Sequence, residues 1–322
     1  MASDETLNVI LGAGGAIGTP LSALLLARGA KVRAVSRGGR GPAAAEIVRA
    51  DLTRRDEVLR AVAEGATVYL LAGLAYDRRV WRVQWPAIMD NALAACAARG
   101  ARLVFFDNVY MYGPVEGPMT EASPVRPTSE KGRIRAAIAS ALLEAAAAGR
   151  VKALIARAAD FYGPHAEATS VPSLLILQKL AAGKAAQVLV DADALHSYTY
   201  TLDCARALPL LAAADDAWGQ VWHLPTARPA LTSRELVAIA ARELGVDARL
   251  TVTSAWMVRA GGVFSTLLRE VGEMLYQNDR HYLFDSSKFE ARFAFEPTPY
   301  AEGIRASVRA LRSGGAAWDR TG

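Results

Sequence analysis

The chain has 322 residues, 52% of them hydrophobic, which is enough for one large or two modest packed domains and excludes intrinsic disorder. Lysine and arginine exceed aspartate and glutamate by 37 to 32, but the charges are scattered rather than gathered into a basic run, so nucleic acid is not an expected partner. Only two cysteines occur, Cys96 and Cys204, far apart and each inside an apolar pattern; they exclude a disulfide scaffold, fit a reducing compartment and are expected to be buried.

The chain opens with MASDETLN, acidic and polar, without the basic and apolar regions of a secretion signal. No uncharged apolar run reaches the roughly 18 residues that span a bilayer, so a soluble cytoplasmic protein with no membrane partner is expected. An apolar run from Leu7 to Leu11 then breaks at Gly12 and gives way at Ala16 to Ile17, Leu21, Leu24, Leu25 and Leu26 at helical spacing. The pattern reads as strand, glycine turn, helix. Glycines 12, 15 and 18 let the backbone turn tightly and the helix pack close to the strand, and the helix N-terminus offers unpaired N–H donors to a pyrophosphate. Gly12, Gly14, Gly15, Ala16, Ile17 and Gly18 are therefore candidate cofactor-binding residues, the alternative being a simple chain reversal.

Lys31 to Val35 reads as the second strand and ends in Ser36-Arg37, where NAD-selective units of this kind carry an acidic residue for the adenosine ribose. A hydroxyl and a guanidinium suit a 2′-phosphate, so NADP is favoured over NAD; the plainer reading of Arg37 is a surface loop residue. Ile47 to Ala50 predicts a third strand leading to Asp51-Leu52, Arg55 to Ala63 a short helix, and Thr67 to Ala72 an apolar fourth strand. Tyr76 to Arg99 is a long helix carrying Trp81 and Trp85, and Ala101 to Phe106 is the fifth strand. Strand and helix alternate with short loops for a hundred residues, which predicts a doubly wound parallel sheet that binds ligands at the carboxyl ends of its strands.

Two strand ends share the signature Tyr-Gly-Pro: Phe106 to Pro114 and, after the strand Lys152 to Ala156, Ala159 to Pro164. Such ends set polar groups at the rim of the sheet, or are merely well-packed turns. Between them Thr128 or Ser129 caps a helix running to Gly149, in which Lys131 and Arg135 lie four residues apart, a spacing most simply explained by a solvated face. Beyond residue 165 the alternation loosens. Helices are expected over 171–182, 203–214 and 300–311, strands at 187–190, 197–201, 220–224 and 250–252, a capping box at Thr232–Glu235 opening a helix to Leu244, and an apolar stretch from Trp256 to Leu275. The expected division is a dinucleotide-binding domain over 1–165, also using about 195–225, and a smaller substrate-covering lobe over 166–322. Four scattered histidines and two remote cysteines offer no metal-ligand spacing, and no Gly-x-Ser-x-Gly elbow of a serine hydrolase occurs.

Taken together, the glycine turn, Asp51-Leu52, Leu71-Ala72, Asn91, Tyr112-Gly113, RAADFYGP from Arg157, HSYTYTLDCARA from His196 and FDSSK from Phe284 resemble the extended short-chain dehydrogenase/reductase superfamily, the group of nucleotide-sugar epimerases and dehydratases. The resemblance covers nearly the whole chain. It implies a Rossmann fold with an NAD(P) cofactor lined also by Asp51, Leu52, Leu71, Ala72, Ala158 and Phe161, a nucleotide sugar or other carbonyl compound as substrate, and a homodimer made through the helices of Trp81 and Lys131.

The catalytic signature of that superfamily is altered. The Ser or Thr five residues before the Gly of Tyr-Gly is Asn108, and Tyr-x-x-x-Lys has become Lys131-x-x-x-Arg135. Arg135 is left to hold the nicotinamide ribose and Asn108 to hydrogen-bond the substrate oxygen. Proton transfer falls to Lys131, if its surroundings discharge the ammonium, or to Tyr110, or to neither. His196 and Tyr198 are expected to meet the far end of the substrate. The sequence therefore supports an NADP-dependent oxidoreductase or epimerase-like enzyme with an atypical proton-transfer group; the alternative is a catalytically silent NADP-binding sensor or scaffold.

Overall fold

A computed structural model describes residues 6–313; residues 1–5, the start of the polar lead-in, and 314–322 lie outside the described residues. Seven strands form one parallel sheet: β1 (Asn8–Leu11), β2 (Val32–Ser36), β3 (Glu46–Arg49), β4 (Thr67–Leu70), β5 (Arg102–Asp107), β6 (Ala153–Arg157) and, after four short strands of the other lobe, β11 (Val221–His223). Their spatial order is β11-β6-β5-β4-β1-β2-β3, the doubly wound Rossmann arrangement. Side chains alternate across the sheet. Val9, Leu11, Val68, Leu70, Leu103 and Phe105 face α2 (Arg55–Ala61), α3 (Arg78–Ala98) and α4 (Glu130–Ala147). Ile10, Tyr69, Val104 and Leu154 face α1 (Gly18–Ala27) and α6 (Thr201–Ala213), where Cys204 is buried; Cys96 is buried on the opposite face.

The smaller lobe contains β7 (Asp160–Tyr162), β8 (Ala186–Leu189), β9 (Leu195–His196), β10 (Tyr198–Tyr200), β12 (Leu231–Thr232) and β13 (Leu250–Thr253), which pair two by two. Around them stand α5 (Gln178–Ala181), α7 (Ser233–Leu244), α8 (Ala255–Gly261), α9 (Thr266–Gly272) and α11 (Tyr300–Arg312), whereas α10 (Ser287–Phe293) packs on β11 of the main sheet through Phe289 and Phe293. α7 begins with the capping box read from the sequence: the Thr232 side chain accepts from the Glu235 N–H, and the Glu235 carboxylate accepts from the Thr232 N–H. The helix expected over 171–182 is present as one unbroken helical run from Val171 to Ala181, with a π turn at Ser173–Leu177 leading into α5. The apolar stretch around Trp256 divides into α8 and α9 at Gly261-Gly262.

A small cluster of Val109, Met111, Tyr112, Met119, Ala159, Tyr282 and Phe284 joins the lobes at the carboxyl edge of the sheet. Trp81 and Trp85 are buried inside the protomer, Trp81 stacked on Tyr110 and Trp85 edge-on to Phe105, and so hold α3 against the sheet. No helix among the described residues is long and apolar enough to cross a membrane.

Candidate active site

The register of the sheet aligns Leu11, Leu70, Phe105 and Ile155, so the turns that follow β1, β4, β5 and β6 open on one edge. At the first of these, Gly12 has φ +101°, and a Cβ there would stand 2.9 Å from the backbone of Leu71 and Ala72; only glycine lets β1 turn that close to the end of β4. A Cβ on Gly18 would meet the Gly12 carbonyl and stand 2.8 Å from the Ala13 Cα. α1 therefore starts at Gly18, after a longer turn than the sequence suggests. Gly14 and Gly15 are exposed in front of α1, Ala16 is half-buried and Ile17 is buried as its N-cap residue. A Cβ on Gly14 would meet nothing within 4 Å. This exposed, unobstructed turn before a ten-residue helix is the geometry a pyrophosphate requires.

At the end of β2 the Ser36 hydroxyl donates to the Arg40 carbonyl at 3.1 Å and accepts from its N–H at 3.0 Å, bending the loop back on itself. Arg37 is left exposed in that loop, near enough to Asp51 to help lower its carboxyl pKa. The larger cause of that shift is Thr53, whose N–H and hydroxyl both donate to Asp51 Oδ1. The Leu52 carbonyl accepts from the buried Asn91 amide at 3.0 Å, which ties α3 to this loop. Leu71 and Ala158 are buried at their strand ends, and Ala72 and Phe161 are half-buried.

Beyond β5, Asn108 Oδ1 accepts the Tyr110 N–H at 3.1 Å while Nδ2 has no partner among the described residues. Tyr110 stacks on Trp81, and burial, with Tyr76 and Asp160 alongside, pushes its phenol well above its ordinary value.

Lys131 and Arg135 are the clearest correction to the sequence reading: neither lies on a solvated face. Lys131 has no exposed surface, and its three N–H groups are all used, by Glu270 Oε2, by Glu273 Oε1 at 2.7 Å and by the Glu270 carbonyl at 3.2 Å. The same two glutamates of α9 and its end accept the N–H of Arg78 at 2.9 Å and of Glu130 at 3.1 Å, the first residues of α3 and α4. Two carboxylates thus cap two helix N-termini and share one ammonium. Arg135 lies over Trp85, 4.3 Å from its centroid, and donates from Nε to Asp107 Oδ1 at 2.7 Å.

Asp107, buried at the end of β5, also accepts from Arg157 Nε at 3.2 Å through its other oxygen. Arg157 Nη1 donates to the Tyr112 hydroxyl at 2.8 Å, that hydroxyl donates to His223 Nε2 at 2.8 Å, and His223 Nδ1 donates to the Asp285 carbonyl at 2.8 Å. Every link agrees with a neutral imidazole, and burial pushes His223 down to about 3.

His196 and Tyr198 come together with a residue the sequence reading did not single out, Asp160 at the start of β7. His196 Nε2 lies 3.1 Å from Asp160 Oδ2, its Nδ1 lies 3.2 Å from the Gln277 carbonyl, and its ring stacks on Tyr198 at 4.6 Å. Asp160 was legible only as part of a Tyr-Gly-Pro signature, because its partners come from β9 and from beyond α9. Glu270, Glu273 and Asp107 were missed for the same reason. Among the described residues no group of three or more His, Cys, Asp or Glu could hold a metal ion.

The profile of the NAD dependent epimerase/dehydratase family matches residues 8–223. A dTDP-6-deoxy-L-talose 4-dehydrogenase (NAD(P)(+)) from Kitasatospora kifunensis is 31% identical over 262 residues, 76% of this chain and 81% of that one. Among solved structures, UDP-glucose 4-epimerase of Thermus thermophilus in complex with NAD superposes with a TM-score of 0.78 at 20% identity, over 95% of this chain and 99% of that one. The dTDP-glucose 4,6-dehydratase of Streptomyces venezuelae with NAD bound gives 0.78 at 20% identity, over 98% and 99%.

Proposed function

The chain belongs to the NAD dependent epimerase/dehydratase family, and from that premise we propose that it is an NAD(P)-dependent oxidoreductase acting on a secondary alcohol or ketone of a sugar, with nucleotide-linked sugars as the first class to test. The observation that carries the reading is the glycine turn. Gly14 and Gly15 stand open before α1, on the edge where Asn108, Tyr110 and Asp160 gather. Gly12 to Gly18 would hold the pyrophosphate, Asp51 and Leu52 the adenosine end, and Leu71, Ala72, Ala158 and Phe161 the walls beyond it. The nicotinamide supplies a hydride acceptor or donor when bound.

Arg37 favours NADP. It is exposed at the end of β2, where Ser36-Arg37 stands in place of an acidic residue, and the Asp51 carboxylate alongside is already held by the Thr53 N–H and hydroxyl. The Asn108 amide, with Nδ2 uncommitted, would donate to the substrate oxygen, and His196 with Tyr198 would border the substrate. Lys131 and Arg135 have structural duties in this reading: one fastens α9 to the starts of α3 and α4, the other fastens α4 to β5.

Titration with NADPH and NADH, followed by nicotinamide fluorescence, tests the first half, and addition of dTDP- and UDP-linked keto sugars and simple ketones tests the second. Preferential NADPH binding and its consumption by a keto sugar are expected. Binding without consumption by any carbonyl would favour the silent sensor, and no binding would overturn the reading of the turn. Arg37→Glu should weaken NADPH binding by about tenfold, equivalent to about 1.4 kcal/mol, while leaving NADH unchanged.

A further inference from the structure

Asp160 and His196 share hydrogen bonds that a neutral imidazole facing a carboxylate cannot satisfy. The Gln277 carbonyl can only accept, so His196 Nδ1 must carry a proton. Nε2 faces Asp160 Oδ2 at 3.1 Å, and one of those two atoms must carry a second proton for a bond to exist. The pair therefore holds one proton more than imidazole and carboxylate together. Its remaining oxygen, Asp160 Oδ1, has no partner among the described residues, and the carboxylate is 22% exposed while His196 is buried. Beside the pair, the hydroxyl of Tyr282, whose ring lies 5.5 Å from that of His196, and Nε2 of Gln277 make no well-formed hydrogen bond, although Gln277 and Tyr276 stand close to that hydroxyl; both Tyr282 and Gln277 are at least nine-tenths buried. Buried polar atoms without partners are costly, and of these groups only the Asp160 carboxylate has exposed surface through which a ligand hydroxyl could reach it.

Resting on the proposed oxidoreductase reading, we infer that Asp160 is the group that exchanges a proton with the substrate oxygen, and that His196 is the positioning residue that holds and recharges it. In the direction of reduction the substrate carbon would take a hydride from the reduced nicotinamide as its double bond to oxygen becomes single, and that oxygen would take the pair's additional proton from Asp160, leaving a neutral imidazole and a carboxylate. Oxidation is the reverse: it starts from the pair that has released that proton to solvent, and the substrate hydroxyl proton would restore it as the hydride returns to the oxidised nicotinamide. Phenols face Asp160 from every side: Tyr76 from the loop before α3, Tyr110 after β5, Tyr198 on β10, and Tyr276 and Tyr282 beyond α9. Burial holds all five protonated, so they surround the carboxylate as hydroxyls rather than as competing bases, and Glu273 beyond Tyr76 and Tyr276 is committed to Lys131.

The test compares Asp160→Asn, His196→Gln and Tyr110→Phe in the full chain. Asp160→Asn should lower kcat by 10²-fold or more with NADPH binding unchanged, and His196→Gln should lower it less while displacing the pH profile of kcat. In the substrate-free protein a downfield ¹H signal attached to His196 Nε2 should be present and should vanish in Asp160→Asn. Full activity in Asp160→Asn, or loss of activity in Tyr110→Phe alone, would overturn the assignment and leave the oxidoreductase reading standing. If wild-type protein consumes no carbonyl, that reading fails. The proton signal then still decides whether the pair exists, and its absence would overturn it.

Discussion

At the carboxyl edge of the sheet, the clusters centred on Asp107 and on Asp160 use the same kinds of residue, each with an aspartate, a histidine and tyrosines. They differ in what is left over. Both Asp107 oxygens are taken by Arg135 and Arg157, and the chain continues through the Tyr112 hydroxyl and both nitrogens of His223 to the Asp285 carbonyl. Asp160 has one oxygen taken and one free, and its neighbours Tyr282 and Gln277 keep polar atoms that make no well-formed hydrogen bond. A saturated buried network fixes the positions of β5, β6, α4 and β11 and has nothing to offer a ligand. An unsaturated one at the cleft costs stability and keeps its chemistry available.

The comparison can be broken most sharply at Asp107. Asp107→Leu leaves two buried guanidinium groups facing each other without a carboxylate, and a loss of roughly 3–5 kcal/mol is expected in urea unfolding. A loss below about 1 kcal/mol would mean that the network does not hold the fold.

His223 offers a titration of the same frame. Its folded value of about 3 lies below the ordinary 6.5, so its contribution is fully present above pH 6.5 and is lost as pH falls towards 3, because the unfolded chain takes up the proton first. The contribution is on the order of 5 kcal/mol over that window. His223→Gln keeps an acceptor for Tyr112 and should flatten the fall in Tm between about pH 6.5 and 4; an unchanged slope would assign the acid sensitivity elsewhere.

The smallest effect is expected at Lys131. Removing the ammonium leaves two carboxylates facing each other, but Glu270 keeps the Arg78 N–H and its guanidinium at 3.8 Å and Glu273 keeps the Glu130 N–H, so Lys131→Met should cost about 3 kcal/mol, the low end for breaking a buried pair. Faster amide exchange across α9 with NADPH binding unchanged is the accompanying result. If Lys131→Met instead left α9 and stability untouched and abolished turnover, the lysine would belong with the reactive cluster.

Much of this protein was determined locally. The glycine turn was legible because Gly12 and Gly18 answer to contacts within a few residues or to the adjacent strand, and the parallel sheet was legible because strands buried on both faces, such as Thr67–Leu70, read as unbroken apolar runs. The Thr232 capping box needed only four consecutive residues.

Charges in the site were decided otherwise. Lys131 and Arg135 lie four apart on one helix and read as a solvated face, but Glu270 is 139 residues from Lys131 and Asp107 is 28 from Arg135. Asp160 similarly meets His196 across 36 residues, and His196 meets Gln277 across 81. Periodicity reports which side of an element is apolar; whether a charge on it is solvated, saturated or available depends on partners that only the folding of distant segments supplies.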